Sequence, residues 1–240
     1  MSTEYYTQIE QARGAHPSRE MLDSLAVALH LSRAEHDHLY HLAGEAPRPE
    51  RQIPHEPPGS LIALLDRMTD TAVLVLDAKQ EVIGWNALAT LLFEDFAQKS
   101  PAERNLARRF FLHPDLPARH FGMTRSNGYA EYLATELRTA VARYPHDVAL
   151  AVLIAELRSR SPRFERLWWS GEIYEPRHVQ KKMVHPVAGP LRLWCDLLIV
   201  PECDQRAVLF TATPRTRSAR ALQSLAKHVP MGQRGTRTAA

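Results

Sequence analysis

Arg104-Asn105 stands immediately before Leu106, and the pair Phe110-Phe111 follows shortly after. A guanidinium and an amide at the mouth of an apolar cavity would match a small-molecule site, which has mostly apolar walls and a few placed polar groups. Leu91, Leu92, Phe96, Phe110, Phe111, Leu133, Leu137, Val152 and Trp168 supply enough apolar volume for a cavity as well as a core. Trp85, Asn86 and His185 are second candidates for the same site. Each has a structural alternative: Trp85 as core, Asn86 as a helix N-cap, and His185 as the anchor of the turn before Pro186.

Other chemistry finds no motif to carry it. No glycine-rich phosphate loop, nucleophile elbow or metal-ligand pattern occurs, so no enzyme, cofactor or metal is expected. Of the 12 histidines, His36, His38 and His41 crowd one helical stretch, and His38 and His41 are three apart. With no carboxylate or cysteine at matching spacing, they read as an exposed polar face. The two cysteines, Cys195 and Cys203, are too few for a disulfide scaffold or a zinc site.

The 240 residues suffice for one large domain, or for a small one and a medium one, and 45% hydrophobic content allows a real core. No window approaches the apolar run of about 18 residues that a membrane span needs, and the first residues lack an apolar signal region. A cytoplasmic protein is expected. The net charge of +3 is unevenly spread: no acidic residue follows Asp204, whereas Arg206, Arg215, Arg217, Arg220, Lys227, Arg234 and Arg237 do. Such a tail can touch nucleic-acid phosphates, or be only a solvated end.

The elements that must position these residues fall on either side of a proline-rich stretch. Pro47, Pro49, Pro54, Pro57 and Pro58 rule out helix or inner strand and mark a linker over 45–58. Before it, three short helices are expected. They cover Ser2 to about Ala12, a stretch from Ser18 with Leu22, Leu25, Ala26 and Leu29 in a stripe, and one opened by the capping box Ser32-Arg-Ala-Glu35 that turns Leu39 and Leu42 inward. After it, Leu61, Leu64, Leu65 and Met68 predict a helix, and Thr71–Leu76 with Glu81–Trp85 a hairpin around Asp77-Ala-Lys-Gln80. Ser100-Pro-Ala-Glu103, Asp147 and Ser161-Pro162 start further helices. Strands return at Lys181–Val184, Leu191–Val200 and Ala207–Thr213. The result is an α+β chain whose antiparallel sheet is covered on one face by helices.

Several segments in order resemble the MmyB-like regulators, which join a lambda-repressor-like helix-turn-helix to a PAS-like ligand-binding domain. They are Glu4–Arg13, Leu22–Leu31, and Glu35 with His38–Ala43, then Val82–Ala87, Arg104–Leu106 with Phe110-Phe111, Ser161–Phe164 with Leu167-Trp168, and His185–Gly189. Gly122–Gly128 departs from the family pattern, which has acidic residues around a tryptophan there. The resemblance implies 1–44 as a partial helix-turn-helix domain that begins at its recognition helix, 59–226 as the PAS-like domain and 227–240 as a basic tail. It also implies a homodimer, a DNA partner, and a fatty-acid-like ligand whose carboxylate Arg104 would bind. On the first helix, Thr3, Glu4, Tyr5, Thr7 and Gln8 would face bases and Arg13 a phosphate, or the same residues are a plain solvated face. A ligand-responsive transcription regulator is therefore expected. A binding module that has lost DNA binding is the first alternative and a PAS-fold enzyme the second.

Overall fold

Ser18 and Ser32 each start a helix by accepting a hydrogen bond from a backbone N–H of the first turn, which otherwise lacks a partner. In this computed structural model, which describes residues 7, 16–45, 52–113, 121, 128–174, 179–229 and 237–238, these are α1 (Arg19–Ala28) and α2 (Arg33–Leu42). The capping box at Ser32 and Glu35 forms as expected. The helix expected over 2–12 lies outside the described residues except for Thr7, which is helical and exposed. So do Thr3, Glu4, Tyr5, Gln8 and Arg13, and the irregular stretch 122–127. The chain divides into two compact units, 1–49 and 50–240. The core of the first is Leu22, Leu25, Ala26 and Tyr40. Leu29 and Leu42, expected inside, are 53% and 72% exposed. Tyr40 sets the phase of α2 instead: its hydroxyl donates to Asp23 Oδ1 at 2.6 Å, and its ring takes the buried position.

In the second unit α3 (Gly59–Leu65) precedes the hairpin of β1 (Ala72–Leu76) and β2 (Val82–Trp85). Asp77 makes the turn between them. Its Oδ1 accepts from the backbone N–H of Lys79 at 2.9 Å and of Glu81 at 3.0 Å, and Gln80 takes a positive φ of 67°. Then come α4 (Ala87–Leu92), a 3-10 turn (Phe96–Gln98), α5 (Pro101–Arg104), α6 (Leu106–Leu112), α7 (Tyr129–Arg143), α8 (Val148–Arg160) and α9 (Pro162–Ser170). Asp147 and Ser161 cap α8 and α9 as expected. Gly128, at φ 88°, opens α7, where an added Cβ would run into the Tyr174 ring. The last elements are β3 (Val179–His185), β4 (Gly189–Val200), β5 (Gln205–Thr211), α10 (Arg217–Lys227) and the short β6 (Arg237–Thr238).

The sheet runs β3-β4-β5-β1-β2-β6, every pair antiparallel. The late strands therefore join the early hairpin through β5 beside β1, a PAS-like order. Alternation sends Leu74, Leu76, Met183, Leu191, Leu193, Val208 and Phe210 to an inner face, where Leu88, Leu92, Phe96, Leu106, Leu222 and Leu225 close a first core. A second core adjoins it through α6: Phe110, Phe111, Leu133, Leu137, Leu150, Leu157 and Phe164 join α6 to α9. The expectation of one covered face needs correction. Val73, Val75, Ile83 and Ala207 point the other way and pack on Leu65, with Leu61 and Met68. All five residues of β1 are buried, because α3 takes the opposite face.

Asn86 ties the hairpin to α4. Its Oδ1 accepts from Val73 N at 3.1 Å and Ala89 N at 3.0 Å, and its Nδ2 donates to Met68 O at 3.1 Å and Thr71 O at 2.7 Å. The residue is 3% exposed, so water cannot replace these partners. Asn86→Ala is expected to lower the unfolding free energy by about 3 kcal/mol in chemical denaturation. A loss of only about 1 kcal/mol would mean that the helix cap alone matters.

Candidate functional site

The sequence candidates do not converge on one pocket. Trp85, fully buried, belongs to the first core and meets Phe96 at 5.5 Å between ring centroids, and its indole N–H has no hydrogen-bond partner among the described residues. Phe93 and Phe210 continue this aromatic group at 4.8 Å. Phe110, Leu137 and Trp168 belong instead to the second core. Asn86 is the N-cap just described. His185 anchors its turn: Nδ1 accepts from the backbone of Val187 and Ala188, and Nε2 donates to Leu91 O at 2.9 Å.

Arg104 is 5% exposed, and its guanidinium donates to Glu81 Oε1 at 3.2 Å and Lys99 O at 3.3 Å. It faces the hairpin turn. Asn105 stands beside it, donating to Lys79 O at 2.8 Å while capping α6 through Arg108 N. The same turn receives the segment before α3. His55 Nδ1 lies 3.3 Å from Asp77 Oδ2, and its Nε2 lies 3.8 Å from Glu81 Oε1. Gln205, fully buried on β5, donates to Glu56 O at 2.9 Å, Ile53 enters the second core, and Pro57 lies against Gly84. Residues 53–57, expected as linker, thus form a strap bound along the second unit.

His55, Asp77 and Glu81 bring their ligand-type atoms within 4.8 Å of one another. The cluster already carries cations: Lys79 Nζ lies 3.6 Å from Asp77 and Arg104 faces Glu81. The hydrogen bond to Asp77 raises the His55 pKa above its usual 6.5, and the Glu81 and Asp77 charges add to it against burial and Lys79. Burial, then the Asp77 charge, also raises the Glu81 carboxyl, against His55, Arg104 and Lys79.

The sequence reading passed over a second polar group, which lies where the two cores meet. Lys181 on β3 is 8% exposed and pairs across the ladder with Leu193 of the first core. Its ammonium sits 4.8 Å from the ring centroid of Tyr129, which packs on the second core. Tyr129 and Tyr132 stack at 6.1 Å, and the Tyr132 hydroxyl is buried with no hydrogen-bond partner among the described residues. Burial lowers the lysine pKa and raises those of both phenols and of Cys195. Farther along α7, Glu136 is matched by Arg206 at 2.6 Å. The signal was present in Gln180-Lys-Lys-Met183: period two puts Lys181 on the face of Met183. Two open clefts lie elsewhere. One, of about 380 Å³, includes Asn86, Met68 and Gln223; the other, of about 710 Å³, includes Lys182, Arg192 and Arg217 on the far face of β3 and β4.

The second unit is thus a domain of the PAS-like class, an antiparallel sheet with a helical layer beside it. The model of the MmyB-like transcription regulator ligand binding domain matches residues 58–225, well over half of the chain, and the chain belongs to that family. Comparison with curated proteins gives no match. Among the described residues no helix is long and apolar enough to cross a membrane.

The strap makes stability depend on pH. A folded-state pKa raised at His55 contributes stability that is complete below pH 6.5 and lost as pH rises through the folded value. The Glu81 shift has the same sign, but its loss falls nearer the carboxylate range. The denaturation midpoint is therefore expected to fall between about pH 6 and pH 8.5, with a flatter profile in His55→Gln. Equal slopes in the two proteins would remove His55 from the account.

Proposed function

We propose that the chain is a ligand-responsive transcription regulator in which residues 50–240 sense an apolar acid of fatty-acid type and alter DNA binding. One observation carries this reading: the match of residues 58–225 to a regulator ligand-binding domain. The geometry supports it. The inner sheet face and the helical layer each gather their own apolar cluster, with α6 contributing to both, and the ligand is proposed to enter along the seam where they meet. In this reading the helical side of the ligand path includes Phe110 and Leu137 of the second core, and the sheet side Trp85 and Phe96 of the first.

The route outward runs through the hairpin turn. Displacement of α6 by a ligand moves Asn105 and Arg104, and these hold the turn that the strap grips through His55. The strap leads in sequence to α1 and α2. A ligand shifts such an equilibrium only by its differential affinity for the two arrangements. A two-fold dimer suits paired DNA half-sites, and light scattering is expected to return the mass of two chains.

Each buried CH₂ contributes roughly 0.8 kcal/mol, so affinity is expected to rise about fourfold per methylene until the cavity is full. Calorimetry of octanoic to hexadecanoic acid against the full chain reads this slope, and a gel-shift series with and without acid reads the coupling. No binding by any acid, with no lipid found by native mass spectrometry, would falsify the sensor reading.

A further inference from the structure

We infer that Lys181 and Tyr132 form the head-group site of the sensor, the place where the acidic end of an apolar ligand is held between the sheet and α7. The inference rests on the reading above that residues 50–240 take up an apolar acid. It moves the acid-binding role from Arg104, whose guanidinium is already bonded to Glu81 and to the Lys99 carbonyl, to a pair of residues for which the sequence offered no motif.

Three observations converge. Lys181 is a cation on the inner, apolar side of a strand whose neighbours Gln180, Lys182 and Val184 are all exposed. A lysine placed there holds its ammonium in the interior at a desolvation cost, although the strand offers open positions on either side. Next, the ammonium lies over the Tyr129 ring, and that ring stacks on Tyr132, so cation and phenol belong to one contiguous group. Finally, the Tyr132 hydroxyl is buried and makes no hydrogen bond among the described residues. A buried hydroxyl without a partner is destabilising, and such groups in folded proteins call for an explanation. A carboxylate reaching the seam would accept one hydrogen bond from the Tyr132 hydroxyl and one charge-assisted bond from Lys181 Nζ. Glu136 does not fill that role, because Arg206 lies 2.6 Å from its Oε2.

The location also orders the ligand. Met183, Leu191 and Leu193 lie beside Lys181 on the inner face, and the Phe96 and Phe210 rings belong to the same core with Phe93 packed against it. A head held at Lys181 therefore sends its chain along the sheet toward Trp85.

Calorimetry on the full 240-residue chain, with decanoic acid and decan-1-ol as probes, separates head from tail. Lys181→Met is expected to weaken the acid about tenfold or more, and Tyr132→Phe several-fold, while the alcohol stays within about twofold of wild type in both. Both substitutions remove a buried polar group and keep the volume, so both variants are expected to fold. Thermal melts of the two variants check this. A second readout is specific to the amine. Burial lowers the Lys181 pKa, and a bound carboxylate raises it again, so acid binding takes up protons at pH values between the two. The uptake shows as a dependence of the binding enthalpy on buffer ionisation, and it vanishes with Lys181→Met and with the alcohol. If acid binds wild type but both variants bind acid as tightly, or lose acid and alcohol alike, the head-group assignment is overturned while the sensor reading stands. If neither probe binds wild type, both readings fall together.

Discussion

Asp77 has no exposure to solvent, and a carboxyl group in that position costs several kcal/mol unless donors surround it. Its Oδ1 meets that need from the backbone of Lys79 and Glu81, closing the β1–β2 turn, and its Oδ2 faces His55 and Lys79 Nζ. Around it Glu81 pairs with Arg104 at the end of α5, and Asn105 caps α6 while holding the Lys79 carbonyl. Strap, hairpin and the start of the helical layer thus meet at one side chain. Charges so placed are weak contributors to net stability but costly to leave half-paired, so the arrangement fixes which segments meet more than how tightly they hold. It also explains why a cluster with metal-like spacing carries a guanidinium and an ammonium of its own.

Local rules made much of the fold legible. Ser32 with Glu35, Ser100 with Glu103, Asp147 and Ser161-Pro162 are chain-local signals, and each begins a helix where it stands. The hairpin over Asp77–Gln80 is equally local. What stayed hidden is what tertiary contact decides. Leu42 matches the helical period as well as Tyr40 does, but only Tyr40 can reach Asp23, and that bond settles which face of α2 turns inward. Arg104 next to two phenylalanines suggests a cavity mouth, yet Glu81, twenty-three positions back, takes its guanidinium. The second face of β1 went unread because continuous burial shows no alternation to count.

The structural alternatives for Trp85, Asn86 and His185 describe their positions well: core, helix cap and turn anchor. None of these roles prevents a ligand from touching the same side chain. They do mean that substituting any of the three would disturb folding before it reported on binding. Lys181 and Tyr132 differ in this respect, since neither caps a helix nor closes a turn.

The separation of the two apolar cores bears most on how such a domain could respond. A single continuous core resists displacement, because any shift opens gaps that forfeit close contacts. Here α6 to α9 pack chiefly on one another, with Arg138 of α7 donating to the carbonyls of Leu167 and Glu172 at and beyond the end of α9. The helical layer is therefore held largely by its own contacts, with Ile53 and Ala78 completing its core. Its polar ties to the sheet include Arg206 with Glu136, Lys181 over Tyr129, and the Asn105 bond at the hairpin turn. Leu106 of α6 also reaches the sheet-side core, so this helix mechanically joins the layer to the sheet. The tie at Asn105 adjoins the turn that holds the strap, so a displacement of α6 would be felt first at residues 53–57.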